Sequence, residues 1–415
     1  MRARQIIRQS IGVLLSFAVV VANYSPQMKA VRALPETLRM RAGEVRALSI
    51  GWPFALSSGD EGMYVLASAD ESFGVISDRP GESKLTVSMF GLPFKSLSVA
   101  VEPEHLLIPG GQSIGAALNT DGVLVVGTSE LSGTSKSPAR DAGICVGDMI
   151  TAVEGKEIKS AADLTETIMQ RGEGPLRLTY KRGGAPRDTI VHPIADPVDG
   201  RLRLGLWVRD STAGVGTLSF YDPNTNKYGA LGHAISDVDT GITLPVREGT
   251  ILKSSVVGIR KGERGTPGEL QGSFLRDRIP LGDIRLNNSF GIYGNADASI
   301  LNPIYPGGML IGSQQNVHTG PATILTTLDD RGVREYSVEI TRVARQGSAA
   351  QKSMTLRVVD PELLDRTGGI VQGMSGSPII QDGRIVGAVT HVFVNDPTQG
   401  YGVFIEWMLE QAGRA

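Results

Sequence analysis

The sequence predicts a mainly β protein assembled from several modules, and three observations carry that prediction. Glycine is in excess, at 52 of 415 residues, which is about twice its usual share. Aromatic residues are few, with 10 Phe, 9 Tyr and 3 Trp. Short alternating apolar and polar segments recur between Gly, Pro and Asn turn signals, whereas long helical periodicity is scarce. Many tight turns joining short strands suit sheets closed into barrels. A chain of 415 residues has room for two or three domains. An apolar fraction of 41% excludes global disorder, and a net charge of −2 argues against binding nucleic acid by neutralising phosphates.

The first element is a targeting segment, assigned to residues 1–30. Arg2, Arg4 and Arg8 precede the apolar run Ile11–Ala22 with no intervening acid. That is the charged and apolar pattern of an export signal. The run is shorter than the roughly 20 residues of an unstrained spanning helix. A removed signal peptide and a retained signal-anchor both fit, since Val20-Val21-Ala22 is only a weak cleavage site. Either places the rest of the chain outside the cytoplasm by the positive-inside rule.

Residues 31–104 read as a small β module without catalytic residues. The alternating segments Leu85–Phe90 and Leu97–Val101, separated by Gly91-Leu92-Pro93, predict a hairpin. Residues 105–195 form the next module. Pro109–Leu118 is a glycine-rich turn running into a strand, and Gly155 marks a turn between Ala152-Val153 and Glu157-Ile158. Ser160 caps a helix to Gln170 with Leu164, Ile168 and Met169 at helical spacing. This stretch, above all SPARDAGICVGDMITAVEGKEI, resembles a PDZ domain of the kind found with bacterial proteases. Such domains add a peptide strand to a sheet edge beside a loop of backbone N–H groups. The resemblance assigns that loop to Ser113, Ile114, Gly115 and Ala116. A turn that packs on the next domain and binds no peptide is the alternative.

Residues 196–415 contain many short strands, among them Leu202–Val208, Val215–Phe220 and Ile385–Thr390, and predict a barrel or pair of barrels. The sharpest chemical signal is Gly373-Met374-Ser375-Gly376-Ser377-Pro378. A serine between glycines can sit on a sharp turn with its hydroxyl exposed, while the N–H groups of Gly373 and Ser375 point at a developing oxyanion. A hydroxyl needs a base. The histidines are His105, His192, His233, His318 and His391. His233, in YGALGHAISD, lies on a glycine-bearing loop about 140 residues before Ser375, which suits two barrels that each contribute one group to a cleft. His318 is a weaker rival, and His391 falls on the strand expected to line the cleft. For the orienting carboxylate, Asp283, Asp329, Asp330, Asp360 and Asp365 all qualify by type. Asp360 precedes Pro361, so a helix N-cap is its competing role. The single cysteine, Cys145, excludes an internal disulfide and cysteine-rich metal sites, and it has no activating neighbour.

The serine hexapeptide resembles the nucleophile signature of chymotrypsin-like proteases, with Met and Ser replacing one Asp and one Gly. The longer segments LGDIRLNNSFGIYG and GGIVQGMSGSPIIQDGRIVGAVTHVFVNDPTQGYGVFIEWM resemble the SpoIVB peptidases of endospore-forming bacteria. That resemblance implies a chymotrypsin-like double barrel and a serine endopeptidase with a triad of His233, Asp360 and Ser375. It implies no metal and no organic cofactor. The expected partners are proteins: the chain itself, and a membrane-bound regulator of an intramembrane protease whose cleavage releases a late sigma factor. The expected place is the space between the forespore and mother-cell membranes. A catalytically silent PDZ scaffold is the competing function.

Overall fold

The structure is a computed structural model. It describes residues 23–42, 45–67, 72–103, 105–131, 137–273 and 279–415. Residues 1–22 of the predicted targeting segment, which hold its basic and apolar runs, lie outside the described residues. Among those described, no helix is long and apolar enough to cross a membrane. The chain divides into two units, Met1–His105 and Leu106–Ala415.

The first unit opens with the helix Pro26–Ala33, whose Ser25 Oγ accepts from the Met28 N–H at 3.2 Å. One sheet has four strands in the order Thr37–Arg41, Leu92–Glu102, Gly81–Met89 and Phe54–Ser58. A second has the order Val45–Leu48, Phe73–Ser77 and Met63–Ala67. Alternation places Leu85, Val87, Leu97 and Val99 on one buried face. The predicted hairpin is present, but its turn is Phe90-Gly91, both at positive φ, and Leu92 and Pro93 already belong to the returning strand.

The second unit is organised by two long antiparallel strands, Ser113–Thr128 and Leu206–Asp222. Each serves two cores. Their far halves, Val123–Thr128 and Leu206–Arg209, join Met149–Val153, Leu176–Arg182 and Ala185–Val191. Together with the helix Ala161–Arg171 these enclose Val125, Ile150, Leu164, Ile168, Leu178 and Val191. Ser160 caps that helix as expected, accepting from Asp163 N–H at 3.0 Å. Met169, however, is exposed; Thr167 takes the buried face with Leu164 and Ile168, because residues three and four apart share a helix face while the five-residue step from Leu164 turns Met169 about 140° away. The expected turn at Gly155 is present, with Glu154 and Gly155 both at positive φ.

The near halves of the two strands correct the expected domain boundary and the expected PDZ loop. Ser113, Ile114, Gly115 and Ala116 are consecutive residues of a strand paired on both sides. Gly115 faces Val215 on one neighbour and Leu252 on the other. Ile114 and Ala116 are buried. A strand whose two edges are filled offers no free N–H groups to a carboxylate, so these residues form no binding loop. They belong to the body that carries the histidine, and the PDZ module is inserted between the two long strands.

The other half of this body is a closed barrel of six strands, in the order Gly320–Thr327, Val333–Val343, Met354–Val358, Asp396–Phe404, Arg384–Phe393 and Pro378–Gln381. Val338, Ile340, Leu356, Ile379, Val389 and Phe404 fill it. Among the described residues the expected second barrel does not close. Its strands, including Lys227–Ala230, Val246–Lys253 and Gly291–Asn295, belong to a sheet of 13 strands. The physical reason is that the two longest strands run outward into the PDZ module, so pairing continues there instead of returning on itself.

Candidate active site

Ser375 sits on a turn leading into the closed barrel, and backbone geometry fixes it. Gly373 and Gly376 have φ of +95° and +97°, conformations that disfavour any side chain. A Cβ on Gly376 would stand 2.1 Å from the Thr217 carbonyl oxygen, and one on Gly373 would stand 2.9 Å from Leu270. Met374 is fully buried in the barrel core and anchors the turn from inside. The N–H groups of Met374, Gly376 and Ser377 donate to the carbonyls of Val371, Val389 and Met374. Among the described residues, the N–H groups of Gly373 and Ser375 donate to no protein acceptor, the arrangement an oxyanion site requires. Of the two serines, Ser377 is fully buried and donates to the Met374 carbonyl at 2.7 Å. Ser375 lines the cleft, and its hydroxyl donates to the Thr390 carbonyl at 2.7 Å.

His233 enters from the other half. Leu231 and Gly232 both have positive φ, which turns the chain out of the strand Lys227–Ala230. A Cβ on Gly232 would lie 3.0 Å from Thr390, so the loop meets the barrel closely. Thr217 joins the two walls. Its N–H donates to the Ser375 carbonyl at 3.0 Å, its hydroxyl donates to the Gly373 carbonyl at 2.7 Å, and its carbonyl accepts from Leu231 N–H. The His233 Nδ1 lies 2.9 Å from the Ala234 carbonyl oxygen. A protonated Nδ1 satisfies that contact and leaves Nε2 as the acceptor. Burial lowers the pKa of His233, with the Ala234 contact opposing it, so the ring favours the neutral form.

A cleft of about 580 Å³ contains Ser375, His233, Gly373 and His391 together. Val371, Val392 and Leu231 give it an apolar lining. The His391 ring lies against the His233 ring, with centroids 5.0 Å apart and planes inclined by 38°.

Asp360, the expected triad carboxylate, does not line this cleft. Asp360 is the N-cap of the helix Pro361–Thr367. Its Oδ1 accepts from Leu363 N–H at 3.0 Å and its Oδ2 from Ser337 N–H at 3.2 Å. Pro361 presets the first helical residue and leaves Asp360 to satisfy the exposed donors, so both carboxylate oxygens serve the backbone. Asp237, nearest to His233 in sequence, is buried but equally engaged. It accepts from Thr240 and Asp239 and is paired with Arg209. Among the described residues, no carboxylate hydrogen-bonds His233. His318 pairs with Asp382 outside the cleft, its Nε2 2.9 Å from the carboxylate. Cys145 is exposed and its thiol donates to the Gly143 carbonyl.

The PDZ module carries a different edge from the one expected. Among the described residues Leu206–Arg209 pairs with Ser113–Thr128 on one side only, and the helix Ala161–Arg171 is fastened near it where Ala161 N–H donates to Asp210 at 2.8 Å. Gly205, at φ +69°, opens this strand; a Cβ there would lie 2.5 Å from the Ser129 carbonyl. The signal overlooked in the sequence was the single glycine in Arg203-Leu204-Gly205-Leu206, hidden in an otherwise ordinary strand pattern.

Residues 200–409 match the family model of the SpoIVB peptidase S55. The chain belongs to the SpoIVB peptidase family. As a member of that family it is a serine peptidase, and residues 132–182 match the model of a PDZ domain. Among solved structures, the PDZ domain of an SdrC-like protein from Listeria monocytogenes is 24% identical, covering 21% of this chain and 87% of its own, with a TM-score of 0.19. The active form of the Rv3671c protease from M. tuberculosis is 13% identical over 49% of this chain and 74% of its own, with a TM-score of 0.28. The HtrA-type protease AlgW with a decapeptide is 10% identical over 72% and 62%, with a TM-score of 0.32. No curated protein matches the sequence significantly.

Proposed function

We propose that this SpoIVB-family peptidase is an exported endopeptidase of sporulation signalling with Ser375 as nucleophile and His233 as base. The observation that carries the reading is the cleft in which the Ser375 hydroxyl, the His233 ring and the unused N–H groups of Gly373 and Ser375 converge. In the resting arrangement the hydroxyl donates to Thr390. The first step turns it toward His233 Nε2, which takes the proton as Oγ attacks a peptide carbonyl. The N–H groups of Gly373 and Ser375 receive the developing negative charge. His233 then protonates the leaving amine, and water repeats the sequence to free the acyl group. The PDZ module presents the open edge Leu206–Arg209 to an extended peptide.

The substrates we assign are the chain itself and a membrane-bound regulator of an intramembrane protease, whose cleavage activates a late sigma factor. The enzyme works in the space outside the forespore membrane, anchored by its N-terminal segment or released from it. Family membership and the basic, apolar start of the sequence support these assignments. The test is direct. Purified protein incubated alone yields fragments for N-terminal sequencing, and a fluorophosphonate labels Ser375. A protein that neither cleaves itself nor takes up the probe is a PDZ scaffold.

A further inference from the structure

The first unit carries a feature that its own fold does not use. Trp52, Phe90 and Leu92 stand at one end of its four-stranded sheet and are 76%, 68% and 73% exposed. Phe90 and Leu92 belong to the hairpin between Gly81–Met89 and Leu92–Glu102, and Trp52 precedes the strand Phe54–Ser58 beside it. The Phe90 N–H donates to the Pro53 carbonyl at 3.3 Å, and the Trp52 and Phe90 rings meet edge to face with centroids 5.8 Å apart. No charged residue lies between Arg46 and Asp60, or between Lys84 and Lys95. Phe90 is the telling residue. Its φ is +52°, in a turn that continues with Gly91 at +81°, and asparagine takes such a position with the least strain. A bulky ring there strains the backbone. Since the ring also stays exposed, folding does not account for it.

We propose that the hairpin tip formed by Trp52, Phe90 and Leu92 is a second membrane contact, which lays the first unit against the lipid surface that holds the N-terminal segment. The inference rests on the reading of residues 1–30 as a retained anchor. An uncharged group of exposed Trp, Phe and Leu side chains suits the boundary between headgroups and acyl chains. The connection to the anchor is short. Asn23, Tyr24 and Ser25 alone separate the apolar run ending at Ala22 from the helix Pro26–Ala33, and three residues span at most about 11 Å. The helix is followed by Leu34, whose carbonyl accepts from Lys95 Nζ at 2.6 Å. Lys95 comes next after Phe94 in the strand leaving the tip, so its charge is turned to the helix end. With the apolar run in a membrane, contact of the tip with the same membrane is intramolecular, and a weak interfacial attraction suffices.

The experiment uses the full chain, carrying Ser375→Ala to keep it whole, in vesicles of phosphatidylethanolamine and phosphatidylglycerol with brominated acyl chains. The tryptophans are Trp52, Trp207 and Trp407, so the emission lost in Trp52→Phe is that of Trp52. Bromine should quench that emission by about half or more and leave the emission of Trp52→Phe within about a tenth of its value on plain lipid. Phe90→Asn separates membrane from fold. Its thermal transition should equal that of the parent or exceed it, because asparagine accepts this backbone, while quenching of Trp52 falls about twofold or more. Leu92→Ser, outside the positive-φ turn, should lower quenching in the same way. Trp52 emission left unquenched in the parent chain would overturn the proposal and leave the tip to a protein partner. Quenching unchanged in both variants would overturn it as well. Flotation of the vesicles tests the underlying reading: a chain left behind has no anchor and removes both, whereas a chain that floats with Trp52 unquenched removes only this inference.

Discussion

The two walls of the cleft are built in opposite ways. The Ser375 wall belongs to a closed barrel, and its turn is held almost entirely by backbone bonds and one buried methionine. The His233 wall belongs to an open sheet, and its loop is held by side chains from distant segments. Asn287 accepts from Ile235 N–H and donates to the carbonyls of Ile235 and Leu244, while Arg209 reaches Asp237. Backbone bonds survive most substitutions; a side-chain brace vanishes with one. The Ser375 turn is therefore preorganised by its fold, and the His233 loop by its neighbours.

The largest effect expected from that contrast is chemical. Ser375→Ala should lower peptide cleavage by several powers of ten while the thermal transition stays within about 1 kcal/mol of wild type. Ser377→Ala should keep the nucleophile and lose about 1 kcal/mol of stability from its buried bond; the reverse pattern would reassign the serine. Gly376→Ala tests the backbone wall. With a Cβ required 2.1 Å from the Thr217 carbonyl at φ +97°, the turn cannot form as built, and both fluorophosphonate labelling and thermal stability should fall sharply.

Asn287→Ala tests the other wall. Removing three hydrogen bonds from the loop ends should slow cleavage tenfold or more, with stability falling by about 1–3 kcal/mol. Equal kcat would show that the loop is held elsewhere. The pH profile sharpens the comparison further. His233 must be neutral to accept a proton, and burial lowers its pKa below the usual 6.5. The acid limb of kcat/KM should therefore have its midpoint below 6.5, and a midpoint at or above that value would contradict a buried base. The linked stability has the same direction: the unfolded chain takes up the proton first, so stability falls as pH drops below about 6.5. The smallest effect belongs to Asp360→Asn. Asparagine caps helices as well as aspartate does, so activity should stay within about twofold. A loss of orders of magnitude would return Asp360 to the chemistry.

Much of this was legible in the sequence because it depends on local chemistry. The serine turn is written in Gly373 and Gly376, positions where positive φ admits little else. The PDZ helix is written in Ser160, Leu164 and Ile168. The glycine-bearing loop that carries His233 and the glycine-flanked turn that carries Ser375 were legible in the same way; their catalytic roles are the proposal made above. What misled were residues with two local meanings. Asp360 before a proline reads equally as a cap or as a catalytic acid, and only the position of Ser337 and Leu363 around it separates the two. Ser113–Ala116 follows two glycines like a binding loop, but pairing on both edges makes it an interior strand.

By itself the sequence determined the β class, the hairpins, the capped helices and the turn that exposes a serine, since each follows from residues within one or two turns of chain. Tertiary structure alone decided which long strands serve two cores, which half closes, and what stands beside His233. Those outcomes depend on pairing between residues about 80 or more apart, and no local propensity records such pairing. His391, about 16 residues beyond Ser375 in the sequence, meets His233 only because the closed barrel carries it to the edge of the open sheet.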